Sequence, residues 1–462
     1  MISAADLARL LPDFLPRQRW YGASERQIAS VDVSELRVLR GDLGDWPLSI
    51  WALADVGFEV GEPARFQVPV GFRPLDDTQR FLEGKGRQLL GDMDTEAGPV
   101  LVYDALVDPE LCLTILHEAA PGEEAARVYP LALEQSNTSI VFDERVIMKV
   151  FRRVHAGPNP DVEVSEALSR VGFEHVAPTV AAWRWEGYDL AVVRQFLTVG
   201  TDGWLLALTS LRDVYDRRQH PARVGGDFGP EAERLGTITA EMHVALEQAF
   251  GAEPGRPFEW ADAMREHLRR VSDTRIDAAA VIEVYDRLAA IDPADAGASL
   301  RVHGDYHLGQ IMRTDQGWVI LDFEGEPVLP LDLRRAPSSP LRDVAGMLRS
   351  FHYAAQIGLL ERGEDADTEL AALAQLWEER NAKAFLDGYD AVDAVHRLLP
   401  STPEARRQVL DAFVVAKTVY EVGYELSHRP DWAHIPLAGL ARQLGGGAAA
   451  GWAWVGEGEV ER

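Results

Sequence analysis

The stretch Arg301-Val302-His303-Gly304-Asp305-Tyr306-His307-Leu308-Gly309-Gln310, followed by Trp318-Val319-Ile320-Leu321-Asp322-Phe323-Glu324, decides how this chain is read. Asp305 falls in a loop after an apolar run. Gln310 comes five positions later, and Asp322 twelve positions beyond that, across a hairpin turning at Asp315-Gln316-Gly317. Phosphoryl transfer from ATP needs a carboxylate to orient an attacking hydroxyl and accept its proton, and it needs oxygen ligands for magnesium. Asp305 fits the first role. Gln310, through its amide oxygen, and Asp322 fit the second. A single acid here would read as a turn residue or a strand-end cap; three groups at this spacing around a hairpin do not. His307, two residues past Asp305, is placed either to touch the acceptor or to hold the loop.

Protein kinases carry the same spacing as H-R-D-x-x-x-x-N and D-F-G. Here it is written H-G-D-x-x-x-x-Q and D-F-E. That comparison directs attention upstream, to a lysine on a strand. Lys149 lies near the end of the apolar run Val146-Ile147-Met148-Lys149-Val150, from which its ammonium can reach the α- and β-phosphates. A helix glutamate can hold it, and in PDVEVSEAL that is Glu163, with Glu166 one turn further as the fallback. Ser136, Asn137 and Thr138, with Gln135 before them, sit at the turn before the first strand. Their hydroxyls and amides can replace a glycine-rich loop over the phosphates. Gln195 is grouped with these as a nucleotide-binding residue. A literal Asp227-Phe228-Gly229 lies before the catalytic loop and reads as a turn leading into a helix at Glu231. G-x-x-x-x-G-K-[ST] is absent, which excludes a P-loop enzyme.

The acceptor must face Asp305. On the C-terminal helical run, Lys417, Tyr420, Glu421 and Tyr424 fall at i, i+3, i+4 and i+7, on one face, and Trp432 follows about two turns later. Aromatic platforms with nearby charges and amides suit a sugar. Asp343 reads as a helix cap or a prop under the catalytic loop.

The chain has 462 residues, which suggests roughly three domains or subdomains. Its 46 basic against 74 acidic residues give a net charge of −28, a surface that repels nucleic acid and anionic lipid. The lone Cys112 excludes a disulfide framework and suits the cytoplasm. The first twenty residues lack a signal-peptide pattern, and no apolar run is long enough to span a membrane. A helix from Ala4 to Leu11, stopped by Pro12, precedes the strand-like runs SVDVSELRVL, LSIWALADV and ARFQVPVGF. LVYDALVDPELCLTILHEA reads as helical. SIVFDERVIMKVFRR and TVAAWRWEGYDLAVVRQFL each read as two strands around a turn, with a helix between them stopped at Gly172. After Gly203 the chain turns mainly helical, with linker-like stretches at 250–257, 292–299 and 399–403. The expected organisation is α+β: a cap subdomain at 1–100, an intermediate β-rich subdomain at 101–202, a helical C-lobe at 203–445 and a loose tail at 446–462, with a ligand cleft between the lobes.

These residues resemble the actinobacterial maltokinases, relatives of the aminoglycoside phosphotransferases with a bilobal protein-kinase-like fold. The matching stretches include LPRQRWYGA, EQSNTSIVFDERVIMKVFRR, NPDVEV, RVHGDYHLGQIMRT, GWVILDFEGEP and VYEVGYELSHRPDWAHIPL, spread from Leu15 to Leu437. The resemblance implies ATP- and Mg²⁺-dependent conversion of maltose to maltose 1-phosphate, feeding α-glucan and glycogen synthesis. It also implies a cytoplasmic monomer with trehalose synthase as its protein partner. Asp305 corresponds to the base, Gln310 and Asp322 to the magnesium ligands, and Lys149 with Glu163 to the pair on the ATP phosphates. Lys417, Tyr420 and Tyr424 correspond to the sugar-contacting helix. Actinobacterial glucosamine kinases, which phosphorylate the 6-hydroxyl of glucosamine, share the cap and nucleotide motifs and stand as the alternative, with aminoglycoside or choline as other acceptors of the same fold. YEVGYE followed by HRPDW resembles the maltokinase helix, with Ser427 where a basic residue is common.

Overall fold

The computed structural model describes residues 2–23, 26–77, 80–131, 136–271, 273–326, 329–363 and 367–446. Gln135 and all but the first residue of the expected tail lie outside them. No helix among the described residues is long and apolar enough to cross a membrane. The chain forms two units: residues 1–163 with 177–198, and residues 164–176 with 199–462.

The first unit opens on α1 (Ala4–Phe14). Pro12 does not stop this helix, as the sequence suggested; it lies inside the last turn. Leu7, Leu11, Phe14 and Leu15 are all buried, and that apolar stripe outweighs the backbone bond a proline removes. Strands β1 (Ile28–Arg40), β2 (Leu48–Phe58), β3 (Ala64–Pro74), β4 (Leu89–Thr95) and β5 (Gly98–Asp104) form a sheet in the order β1-β2-β3-β5-β4. LVYD is thus a strand, as its β-branched and aromatic content favours. The helix α2 (Pro109–Ala119) begins only at Asp108, whose carboxylate caps it. A subdomain border at residue 100 would cut β5.

Strands β6 (Val128–Pro130), β7 (Thr138–Phe142) and β8 (Val146–Val150) follow. The short β9 (Arg153–Val154) joins the first sheet beside β3. The unit border runs through α3 (Pro160–Arg170); β10 (Thr179–Trp185) and β11 (Tyr188–Gln195) complete a second sheet in the order β10-β11-β8-β7-β6. Asp143 and Glu144, with φ of 51° and 57°, make the tight β7–β8 turn, and Glu186 with Gly187 repeats it between β10 and β11. Gln67 on β3 ties the two sheets together: its amide donates to the Phe151 carbonyl at 2.6 Å and accepts from the Trp51 indole at 3.0 Å.

The second unit contains β12 (Gly200–Asp202), α4 (Gly203–Arg217), α5 (Gly229–Phe250), β13 (Ala252–Pro254), α6 (Pro257–Arg270), α7 (Ala278–Ala289), β14 (Ala298–Leu300), β15 (Ile311–Thr314) and β16 (Gly317–Ile320). Then come α8 (Leu331–Arg335), α9 (Leu341–Leu360), α10 (Thr368–Asp390), α11 (Pro403–His428) and α12 (His434–Gly446). The stretches read as linkers at 250–257 and 292–299 hold β13 and β14, which pair with each other. One large core runs through the helices, with Tyr306, Trp318, Phe351, Trp377 and Val415 buried in it.

Candidate active site

The loop carrying Asp305 is held from below. Asp343, in the first turn of α9, is buried; it accepts the His303 N–H at 2.8 Å and the Gly304 N–H at 2.9 Å. His243 Nε2 lies 3.1 Å from the same carboxylate, while its Nδ1 is 2.8 Å from the Tyr389 hydroxyl. Burial works to raise the Asp343 carboxyl, but the His243 hydrogen bond and charge and the Gly304 N–H hold it below the usual range. Asp343 is thus the prop that the sequence suggested. Gly304 sits at φ 86°, where only glycine is unstrained.

The same loop is stitched to the other two motif residues. His303 Nδ1 accepts from the Asp305 N–H, which leaves Nε2 to donate to the Leu321 carbonyl at 2.9 Å. The Leu321 N–H in turn donates to the Gln310 carbonyl at 2.8 Å. Gln310 and Asp322 therefore emerge side by side at the end of the β15–β16 hairpin. Asp322 holds φ at 56°, a rare backbone state for a residue with a side chain and one that clusters at functional sites. The charges of both Asp305 and Asp322 act on the His307 ring, opposing the effect of its burial. A side-chain amide oxygen and a carboxylate are both hard oxygen donors of the kind Mg²⁺ takes. Gln310 and Asp322 would hold the ion, which supplies charge neutralisation on phosphate oxygens.

Lys417 on α11 reaches across to this loop. Its ammonium is 3.0 Å from Asp305 Oδ1 and 3.0 Å from Glu326 Oε1. Burial works to raise the Asp305 carboxyl, yet Lys417, with His307 and His303, holds it well below the usual carboxylate range. Lys417 is raised in turn, because Glu326 and Asp305 outweigh its desolvation. His307 is pushed down, chiefly by burial; its Nε2 lies 3.8 Å from Asp305 Oδ2, and its Nδ1 accepts the Gly309 N–H. Glu326 was missed in the sequence, although it stands in the quoted GWVILDFEGEP.

Along α11, Tyr420 and Tyr424 stack at 6.3 Å, and Tyr424 stacks on His428 at 4.3 Å. The Arg429 guanidinium lies 4.4 Å over Trp432. Glu421 departs from the expected acceptor face. Arg349 of α9, almost wholly buried, takes its carboxylate, with Nε 3.1 and 3.3 Å from the two oxygens. A helix advances about 100° per residue, and Glu421 stands on the edge of the stripe that α9 covers.

The remaining candidates lie in the first unit. Lys149 is on β8, the middle strand of its sheet, and is buried rather than facing bulk water. A carboxylate set against it is that of Asp161, at 3.3 Å, in the same first turn of α3 as Glu163. Asp161 is buried in the first turn of α3 and also takes the Arg194 guanidinium in two contacts, 2.9 and 3.0 Å. Asp161 follows Asn159-Pro160, where an acid serves equally as a residue of a helix's first turn, and the sequence did not single it out. Thr138 opens β7, and its hydroxyl accepts from Arg152 at 2.8 Å. Arg152 itself is paired with Asp104. Ser136 is exposed and accepts from the buried Asn137 amide at 3.3 Å. Gln195 closes β11, exposed, with its N–H on the Pro178 carbonyl. The decoy Asp227 is structural: Arg380 grips both its oxygens at 2.8 and 2.6 Å.

Residues 14–108 match the family described as the maltokinase N-terminal cap domain, and residues 215–376 match the phosphotransferase enzyme family. A glucosamine kinase from Streptacidiphilus jiangxiensis is 31% identical over 427 residues, covering 86% of this chain and 92% of that protein. A glucosamine kinase from Mycolicibacterium smegmatis is 28% identical, covering 69% of this chain and 80% of that protein. Among solved structures, a glucosamine kinase superposes with a TM-score of 0.67 at 23% identity over 96% of this chain and 100% of the other. A glucosamine kinase in complex with glucosamine, ADP and inorganic phosphate gives 0.63 at 22% identity over 95% and 99%. The fold is therefore kinase-like, α+β, with a β-sheet N-terminal region, a helical C-terminal region and an added cap. The chain belongs to the maltokinase-like family of sugar phosphotransferases, capped relatives of the aminoglycoside phosphotransferases.

Proposed function

We propose that this protein transfers the γ-phosphoryl group of ATP to the anomeric hydroxyl of maltose, giving maltose 1-phosphate and ADP. The observation that carries this reading is Asp305, fixed from below by Asp343 and flanked by Lys417 at the foot of an aromatic strip. Asp305 orients the hydroxyl and takes its proton late, once the phosphoryl group is already loosely held. A carboxylate held below its usual range is a weak base. From Tyr420 to His428 the strip rises about 12 Å along the helix, enough for two sugar rings. Lys149 meets the ATP phosphates, and Gln310 and Asp322 hold the Mg²⁺. The product feeds α-glucan and glycogen synthesis in the cytoplasm; the enzyme acts as a monomer beside trehalose synthase.

Glucosamine is the second reading, favoured by the names of the curated relatives. A coupled ADP-release assay with maltose, glucose, glucosamine and trehalose side by side separates the two, and NMR of the product fixes the hydroxyl modified. Maltose is expected to give the highest kcat/KM. A clear preference for glucosamine with phosphate on its 6-hydroxyl would overturn the maltose reading. Asp305→Ala should cut kcat by about 10²–10⁴-fold while ATP binding stays within about twofold. Near-normal turnover by that variant would remove Asp305 from the mechanism.

A further inference from the structure

The ammonium of Lys417 touches two carboxylates at once, Asp305 and Glu326, each at 3.0 Å. Around this trio the Tyr420 ring lies 4.5 Å from the ammonium, Arg342 approaches the far oxygen of Glu326 at 3.7 Å, and His307 Nε2 lies 3.8 Å from the far oxygen of Asp305. Two carboxylates around a small cation form the arrangement by which proteins bind primary ammonium groups. Here the chain supplies the ammonium itself, tethered to α11, immediately beside the oxygen that an acceptor hydroxyl must meet.

We propose that Lys417 is a specificity-determining residue: a resident ammonium that fills the anionic slot beside Asp305 and so sets the enzyme against cationic, amino-bearing acceptors in favour of neutral sugars. The inference rests on the sugar-kinase reading and extends it to acceptor charge. An amino sugar that presents its anomeric hydroxyl to Asp305 carries the ammonium on the adjacent carbon into the same few ångströms. It then meets Lys417 as a like charge and finds Asp305 and Glu326 already neutralised. A neutral sugar meets neither obstacle, and it can accept a hydrogen bond from the lysine. Without the lysine, Glu326 Oε1 and Asp305 Oδ1 both lose their partner, and the slot takes an external ammonium.

The test compares full-length wild type, Lys417→Met and Lys417→Arg on glucose and glucosamine, which differ only at the amine, with maltose alongside. The assay runs near pH 6.5, about where such an amine is cationic. The readout is the ratio of kcat/KM for glucosamine to that for glucose. Calorimetric Kd values for the same two sugars give the ratio should the Met variant lose turnover. Lys417→Met is expected to raise the ratio at least about tenfold over wild type, the scale of removing one close like charge; Lys417→Arg, which keeps the cation, is expected to leave it near wild type. A ratio unchanged within about threefold in Lys417→Met, by kinetics and by binding, would overturn the proposal, as would an equal rise in Lys417→Arg. Lys417→Gln replaces the Met variant should the latter not fold. Wild type preferring glucosamine to maltose would sink the maltose reading alone, because the lysine is judged by the change in ratio.

Discussion

Asp161 and Asp343 are each buried single carboxylates that hold other groups in place, and each makes a prediction. Asp161 is shared by Lys149 and Arg194. Asp161→Ala deprives both cations of the buried charge between them, which should cost about 3–5 kcal/mol and bring ATP use down with it. A urea midpoint equal to wild type would refute the ion pair's weight. Asp343 is depressed below the usual carboxylate range when folded. A depressed carboxylate adds stability that is present above its unfolded pKa, about 3.9, and that drains away as pH falls through the folded value. Asp343→Asn should therefore lose about 1–3 kcal/mol at neutral pH, with the gap to wild type narrowing below about pH 4. A gap independent of pH would show that the charge of Asp343 is not what holds the loop. Of these roles the sequence revealed only part. Asp343 was legible as a prop because it heads an amphipathic helix. Asp161 was not, because an acid after Asn-Pro looks the same whether it caps a helix or takes a lysine from a strand.

At the scale of elements, α11 does the most varied work. Its buried residues, Val415, Val419 and Val422 among them, fix it in the helical core. That anchoring presents Lys417 to the catalytic loop and leaves Tyr420, Tyr424 and His428 as a stacked strip. Tyr424→Ala removes the middle ring. It should raise the KM for the sugar about tenfold, the effect of losing roughly 1.4 kcal/mol of stacking, with the KM for ATP within about twofold. Equal changes in both constants would mean that the strip serves the fold and not the acceptor. Helical spacing predicted that these side chains share a face. It could not say which neighbour covers each edge of that face, and the edge is where Glu421 turns to Arg349. The hairpin β15–β16 was legible almost whole, because Asp315-Gln316-Gly317 between two apolar runs has few alternatives. By contrast, Pro12 read as a helix stop and lies inside α1, since burial of the helix face overrides the local propensity.

For the molecule as a whole, the separation into two units has a thermodynamic consequence. The first carries two hydrophobic clusters, around Trp20–Phe66 and around Trp51–Met148, while the second carries one large helical core. Chains with independent cores depart from a single all-or-none transition. Scanning calorimetry should therefore give a calorimetric enthalpy larger than the van't Hoff enthalpy, with MgATP raising the midpoint by mass action. A ratio of unity would show the units to melt as one. In a chain of net charge −28, Lys149, Arg152, Arg194, Arg349 and Lys417 each stand against a carboxylate.

The amino-acid order by itself determined most of the strands and helices and the spacing of Asp305, Gln310 and Asp322 around their hairpin, because these depend on periodicity, turn chemistry and separations of a few residues. Tertiary structure alone decided that Lys149 meets Asp161, that Glu421 meets Arg349, and that Lys417 bridges Asp305 and Glu326 from 112 and 91 residues away. Which charges become neighbours depends on how helices and strands pack, and long-range packing leaves no periodic trace in the chain.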